Sequence, residues 1–213
     1  MTDKEKIRRN YDRMSGSYDI IAGVWERRFR NRGLDFLSAS EGETILEIGF
    51  ATGSALVKIG RAAGENGNLC GIDLSPAMRK KAIRKLSRAK IKSKVELKTV
   101  SATSIPCPDN TFDGIFASFV IEILDETDIA KTLSECARVL KKDGRLITVT
   151  MRQPKKPRAI DRLYKWAARK FPDKIDCRPI DIKSFLEKAG FVVEKSCVMK
   201  MCGLGVDIVR SKP

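Results

Sequence analysis

The chain has 213 residues, with 42 Lys and Arg against 27 Asp and Glu, a formal net charge of +15 and no histidine. Its length suits one α/β domain with a substantial core; no segment reaches the roughly 18 unbroken apolar residues of a membrane span, and the start, Met1-Thr2-Asp3-Lys4-Glu5-Lys6, offers no secretory hydrophobic region, so a cytoplasmic protein is expected. The six cysteines contain no C-x-x-C pair; without histidine the usual zinc patterns cannot be assembled, and acid–base chemistry must use Asp, Glu, Tyr, Cys, Lys or water.

Residues 4–38 carry helical patterning interrupted at "MSGSYD" (14–19). Strands are then predicted at 44–49, 68–73, 95–100, 112–118 and 145–151, with helices at 53–63, 76–89 and 127–140 between them. The last of these helices leads into Lys141-Lys142-Asp143-Gly144, which has the composition of a helix stop. A basic helix is predicted at 158–171, with Ile160, Leu163, Tyr164, Ala167 and Phe171 on one face and Arg158, Arg162, Lys165 and Arg169 around them. That pattern suits either docking on a sheet or lying in a lipid headgroup layer. A helix at 181–189 and two strand-like runs, 191–198 and 204–210, complete the chain.

Strands alternating with helices argue for βαβ units and a doubly wound α/β sheet. The expected organisation is a single domain: an N-terminal helical cover (1–40), a cofactor-binding core (41–151), a basic insertion beside the substrate mouth (152–180), and a C-terminal helix and hairpin (181–213). The charge is clustered, with ten Lys or Arg against one acid in residues 79–98 and nine against two in 152–174. Such clusters attract polyanions or an anionic lipid surface, although a solvated helix face accounts for them equally well.

The stretch "LEIGFATGSA" (46–55) places a glycine-rich turn after the first strand. The dinucleotide fingerprint G-x-G-x-x-G would need glycines at positions held by Ala51 and Ser54, and so fails. An acid-x-G-x-G-x-G turn is matched by Glu47, Gly49, Ala51 and Gly53 with one substitution; its acid suits a positively charged ligand that carries an amino group. Ala51 fits if its backbone is not at positive φ. The next strand ends in "GIDLSPAM" (71–78), where Asp73 can accept both hydroxyls of a ribose lying over the first turn.

These motifs, with "YDRMSGSYDI" (11–20), "IPCPDNTFDGIFASFVIEIL" (105–124) and the closing "FLEKAGFVVEKSCVMKMCGLGVDIVRSKP" (185–213), resemble the class I S-adenosylmethionine-dependent methyltransferases, most closely the branch of ubiquinone/menaquinone C-methyltransferases. The resemblance covers nearly the whole chain. It implies a Rossmann-like seven-stranded sheet with the last strand antiparallel, and S-adenosyl-L-methionine as cofactor. It implies a cofactor site of Tyr18, Glu47, Gly49, Ala51, Gly53, Asp73, Leu74, Met78, Ser101, Ala102 and Ser118. Ser101 stands where relatives often carry an Asp for the adenine amino group, which leaves more of that task to the amide of Ala102. Tyr18 and Glu122 are weak catalytic candidates, and no metal is expected.

The implied activity is methylation of a small, apolar or membrane-associated acceptor such as a prenylated quinone-like ring, in quinone biosynthesis. Phospholipid amines or another small metabolite are the runners-up; arsenite and RNA stand further behind. Pro106-Cys107 precedes the fourth strand, whereas the Pro-Cys nucleophile of cytosine methyltransferases follows it. An anionic membrane surface and a second copy of the chain are candidate partners, the first implying a peripheral membrane location; nucleic acid is not expected.

Overall fold

The computed structural model describes residues 3–14, 18–170 and 177–213. Its centre is a seven-stranded sheet of order β3-β2-β1-β4-β5-β7-β6. β1 (Thr44–Ile48), β2 (Asn68–Asp73), β3 (Lys94–Thr99), β4 (Phe112–Ser118) and β5 (Leu140–Met151) are parallel, while β7 (Leu204–Lys212) runs antiparallel to both β5 and β6 (Val192–Met201). This is the doubly wound, Rossmann-like sheet that the alternating pattern predicts, closed by an antiparallel hairpin.

The strand sequences explain their places. β1 and β4 are buried almost throughout, as apolar runs covered on both faces must be. β3 lies at an edge and alternates charged residues outward, which blunts pairing with another sheet. Helix α4 (Pro76–Arg88) starts where Ser75 accepts from the Met78 amide and Pro76 fills the first turn; α5 (Glu126–Val139) and α7 (Ile182–Lys188) start on Asp125 and Asp181 in the same way.

Apolar side chains fill both faces of the sheet. One layer joins Leu46, Ile115 and Leu146 to Leu133 and Cys136 of α5 and Leu186 of α7. The other joins Phe116, Ile147 and Ile208 to Ile59 of α3 (Ser54–Ala63) and Phe29 of α2 (Tyr18–Leu37). Arg145 ties this second layer to its cover: it grips Glu43 through its two terminal guanidinium nitrogens at 2.9 and 2.7 Å, and donates to the carbonyls of Leu37, Ser38 and Asp113.

Two expectations need correction. Lys141–Gly144 does not stop a helix: α5 ends at Val139, and Leu140 is already extended and paired with Phe112. Lys141 instead donates to Asp113 at 2.6 Å, and a Cβ on Gly144 would meet the Phe112 and Lys141 carbonyl oxygens at 3.0 and 2.9 Å, so the glycine serves close backbone packing. Helix α6 (Ala159–Lys170) also turns a different face inward. Ile160 and Tyr164 pack beneath the hairpin, and the Tyr164 hydroxyl donates to the Cys177 carbonyl. Leu163 therefore faces outward, 57% exposed. Phe171 and the Arg169 side chain lie outside the described residues.

Candidate functional site

The carboxyl ends of β1, β2 and β4 open onto a cleft. Gly49 and Ala51 from the first turn, Asp73 and Leu74 after β2, Ser101 and Ala102 after β3, and Ser118 after β4 all line it. Three expected residues do not. Gly53, at φ 80°, faces Ala82 of α4, and Met78, whose amide donates to the Ser75 cap, is fully buried in α4. Glu47 lies behind the turn, beside Arg30, in a chamber whose walls include Gly49, Ala51 and Ser118.

Asp73 organises the turn. Its Oδ2 accepts from the Ala51 amide and its Oδ1 from the Ser75 amide, both at 2.9 Å. A carboxylate has about four lone-pair sites, so acceptor capacity remains. Burial pushes its carboxyl above the ordinary range; the Ser75 and Ala51 amides, and more weakly that of Leu74, pull it down, and the nearby Asp12 pushes it up.

Helix α1 (Asp3–Met14) covers this corner. Asp12 accepts from the Ser75 hydroxyl at 2.5 Å and the Ala77 amide at 3.4 Å, which brings Arg8 and Tyr11 to the cleft. The sequence contains two Tyr-Asp pairs, at 11–12 and 18–19; Tyr11 lines the cleft, and the Tyr18 side chain lies outside the described residues.

Strain gathers at the same edge. Ala51 is at φ 45°, so the condition for an unstrained methyl group is not met; its amide donates to Asp73. Phe119, at φ 54°, lines the cleft as well. Ala51→Gly should relieve about 1–2 kcal/mol of left-handed strain and lose about 0.4–1 kcal/mol to unfolded-chain entropy. The melting temperature should rise by about 2 °C. A lower melting temperature would contradict the strained assignment.

Glu47 is the other buried acid. Its Oε2 has no hydrogen-bond partner among the described residues. Burial raises its carboxyl well above the usual range, against the pull of Arg30 and with a smaller push from Asp73. The folded chain therefore holds a proton more tightly than the unfolded one. Stability from this group is present below the unfolded value near pH 4.3 and is lost as pH rises toward the raised folded value. Glu47→Gln should flatten that slope and stabilise the protein by about 1 kcal/mol at mildly alkaline pH. Urea titrations across pH check this; an unchanged slope would contradict it.

Glu122 is 0% exposed, and its Oε1 accepts from the Met151 amide at 3.0 Å. It satisfies the end of β5 where β4 has stopped and does not line the cleft. Cys70 lies against Cys107, and burial is the main cause that pushes Cys70 up to about 12; Cys136 is pushed to the same value by burial. Both remain protonated thiols.

The apolar part of the cleft is built from Phe119, Val120, Ile123 and Leu124, which sequence reading did not single out. These residues follow β4 in a 3-10 turn (Ile121–Ile123), and their apolar run looks like a continued strand until the turn is seen.

A family model described as a methyltransferase domain matches residues 45–144. The chain is similar to a demethylmenaquinone methyltransferase of Bacillus licheniformis, 31% identical over 150 residues that cover 70% of this chain and 61% of that one. It is also similar to a ubiquinone/menaquinone biosynthesis C-methyltransferase of Escherichia coli, 32% identical over 144 residues covering 68% and 55%. The match thus spans less than two thirds of these relatives. The crystal structure of a SAM-dependent methyltransferase from Aquifex aeolicus superposes with a TM-score of 0.63 at 25% identity, over 86% of this chain and 89% of that one.

Proposed function

Because the chain belongs to the class I S-adenosylmethionine-dependent methyltransferases, in the branch that includes the ubiquinone/menaquinone C-methyltransferases, we propose that it methylates a carbon of a small apolar acceptor, a quinol-type ring. The observation that carries this reading is one cleft joining the Gly49–Ala51 turn, Asp73 and Ser101 with Phe119, Val120, Ile123 and Leu124.

The residues present fit the cofactor. Asp73 keeps acceptor capacity for ribose hydroxyls beyond its two amide bonds. Ser101, whose hydroxyl is 2.9 Å from that of Thr103, and Ala102 would border the base. The unpartnered Oε2 of Glu47 leaves a hydrogen-bond acceptor behind Gly49 and Ser118, where an amino group would find a partner. When bound, S-adenosylmethionine supplies an electrophilic methyl group on a good leaving group.

The chain's own part is alignment and exclusion of water. Phe119, Val120, Ile123 and Leu124 would hold an apolar ring, and Tyr11 and Arg8 of the α1 cover would shield it from solvent. Among the described residues, Asp73 and Tyr11 are the lining side chains that can hold a proton apart from serine hydroxyls and Arg8, and Asp73 is engaged by two amides. A site with so little base strength suits an acceptor that ionises readily in water, and a quinol hydroxyl does so while activating the neighbouring ring carbon.

The test incubates the protein with methyl-labelled cofactor and a lipid extract. Label should enter a lipid-soluble quinol fraction, and calorimetry should show binding of S-adenosylmethionine and its demethylated product but not NAD. Label confined to water-soluble metabolites would overturn the apolar acceptor; binding of NAD alone would overturn the cofactor.

A further inference from the structure

Helix α6 follows β5 and so leaves the same carboxyl edge of the sheet that carries the cleft. Its inward face is satisfied by Ile160 and Tyr164, and Asp161 is buried where it accepts from the Arg158 amide at 2.8 Å. Its outward face shows Leu163 and Trp166, 57% and 55% exposed and one turn apart. Arg162 and Lys165 are exposed beside them, and Lys170 lies over the Trp166 ring at 5.1 Å. An apolar pair rimmed by cations is the composition that lies in a headgroup layer.

A second observation, at the start of the same helix, points the same way. Arg152, Lys155, Arg158 and Lys200 line a cavity of about 300 Å³ between the start of α6 and the β6–β7 hairpin, and exposed Val198 stands at its wall. Arg158 fixes this corner by donating to the Gly203 carbonyl at 2.7 Å. Asp161 and Asp207 offset two of the four charges, Asp207 through Arg152 at 3.7 Å. Lys155 and Lys200 are exposed and have no ion-pair partner among the described residues. The cavity therefore offers positive charge to an anionic headgroup beside a surface that offers apolar contact.

We propose that this face, Leu163 and Trp166 with the cationic cavity beside them, docks the protein on a bilayer containing anionic phospholipid. A second copy of a chain at +15 would bring like charge to the same surface, and a nucleic acid would find one ring to stack on there, that of Trp166, with Lys170 already over it. No helix among the described residues is long and apolar enough to cross a membrane, so the contact is peripheral. It places the cleft edge toward the layer in which an apolar acceptor dissolves. The docking surface itself does not depend on the reaction proposed above.

The experiment sediments the full chain with vesicles of phosphatidylglycerol and phosphatidylcholine, and with phosphatidylcholine alone. Binding should require the anionic lipid and weaken with salt. Each of Lys155→Gln, Arg162→Gln, Lys165→Gln and Lys200→Gln should lower partitioning by about fivefold, and the combined variant should stay in the supernatant with cofactor binding unchanged. In a Trp25→Phe background, emission from Trp166 should shift to the blue on binding; Leu163→Ser with Trp166→Ser should bind about tenfold more weakly. No sedimentation with anionic vesicles at low salt, undiminished sedimentation of the combined charge variant, an unshifted Trp166 emission, or retention of RNA in place of vesicles would each overturn the proposal.

Discussion

Replacing Asp73 with alanine will weaken binding of S-adenosylmethionine and its demethylated product by about 1–3 kcal/mol, roughly 5- to 150-fold. The ligand would lose a charged acceptor for its ribose hydroxyls, and the turn would lose the group that holds the Ala51 and Ser75 amides at 2.9 Å. The two losses separate by pH. Burial raises the Asp73 carboxyl, so the charged form that accepts best is depleted at a higher pH than for an ordinary aspartate near 3.9. Wild-type affinity should therefore fall on acidification through that raised value, and the affinity of Asp73→Ala should not show this limb. Calorimetry at several pH values reads both effects; an unchanged affinity in the variant would remove Asp73 from the site.

The parts of the site that could be read from the sequence are those imposed by backbone geometry. A tight turn after a buried strand needs small residues, and an acid at the end of the next strand needs nearby donors; Gly49, Ala51 and Asp73 satisfy both locally, within thirty residues. The parts that could not be read depend on how separate elements meet. That Tyr11 reaches the cleft depends on Asp12 meeting Ser75, a contact across more than sixty residues. Helical spacing puts Leu163 with Ile160 and Tyr164, yet the Tyr164 bond to Cys177 sets the rotation of α6 and leaves Leu163 outside. Gly144 has the sequence of a helix stop, and only the approach of the Phe112 carbonyl shows why a glycine sits there. The alternation of strands and helices could be read as βαβ units, whereas the seven-stranded sheet with its antiparallel strand was implied by the family resemblance and not by spacing.

Gly49→Ala should have the largest effect of any single-methyl change at the cleft. Gly49 is at φ 69°, where a Cβ costs about 1–2 kcal/mol. A Cβ there would also lie 2.6 Å from Val120 Cγ2 and 2.8 Å from Val120 Cβ, and overpacking of that kind costs about 1–3 kcal/mol. Lower entropy of the unfolded chain returns about 0.4–1 kcal/mol, so a net loss of about 2–4 kcal/mol is expected from a total stability of order 5–15 kcal/mol. Because Val120 lines the cleft, the displaced side chain should narrow it, and the affinity for S-adenosylmethionine should fall together with stability. Val120→Ala in the same chain removes the 2.6 Å contact but neither the 2.8 Å contact nor the positive φ. The double variant should recover part of the loss, a coupling of about 0.5–3 kcal/mol between two touching sites. Denaturant titration of the four proteins in this cycle measures that coupling. Additive effects would show that Val120 does not press on the turn, and the strain at Gly49 would then lie in its backbone alone.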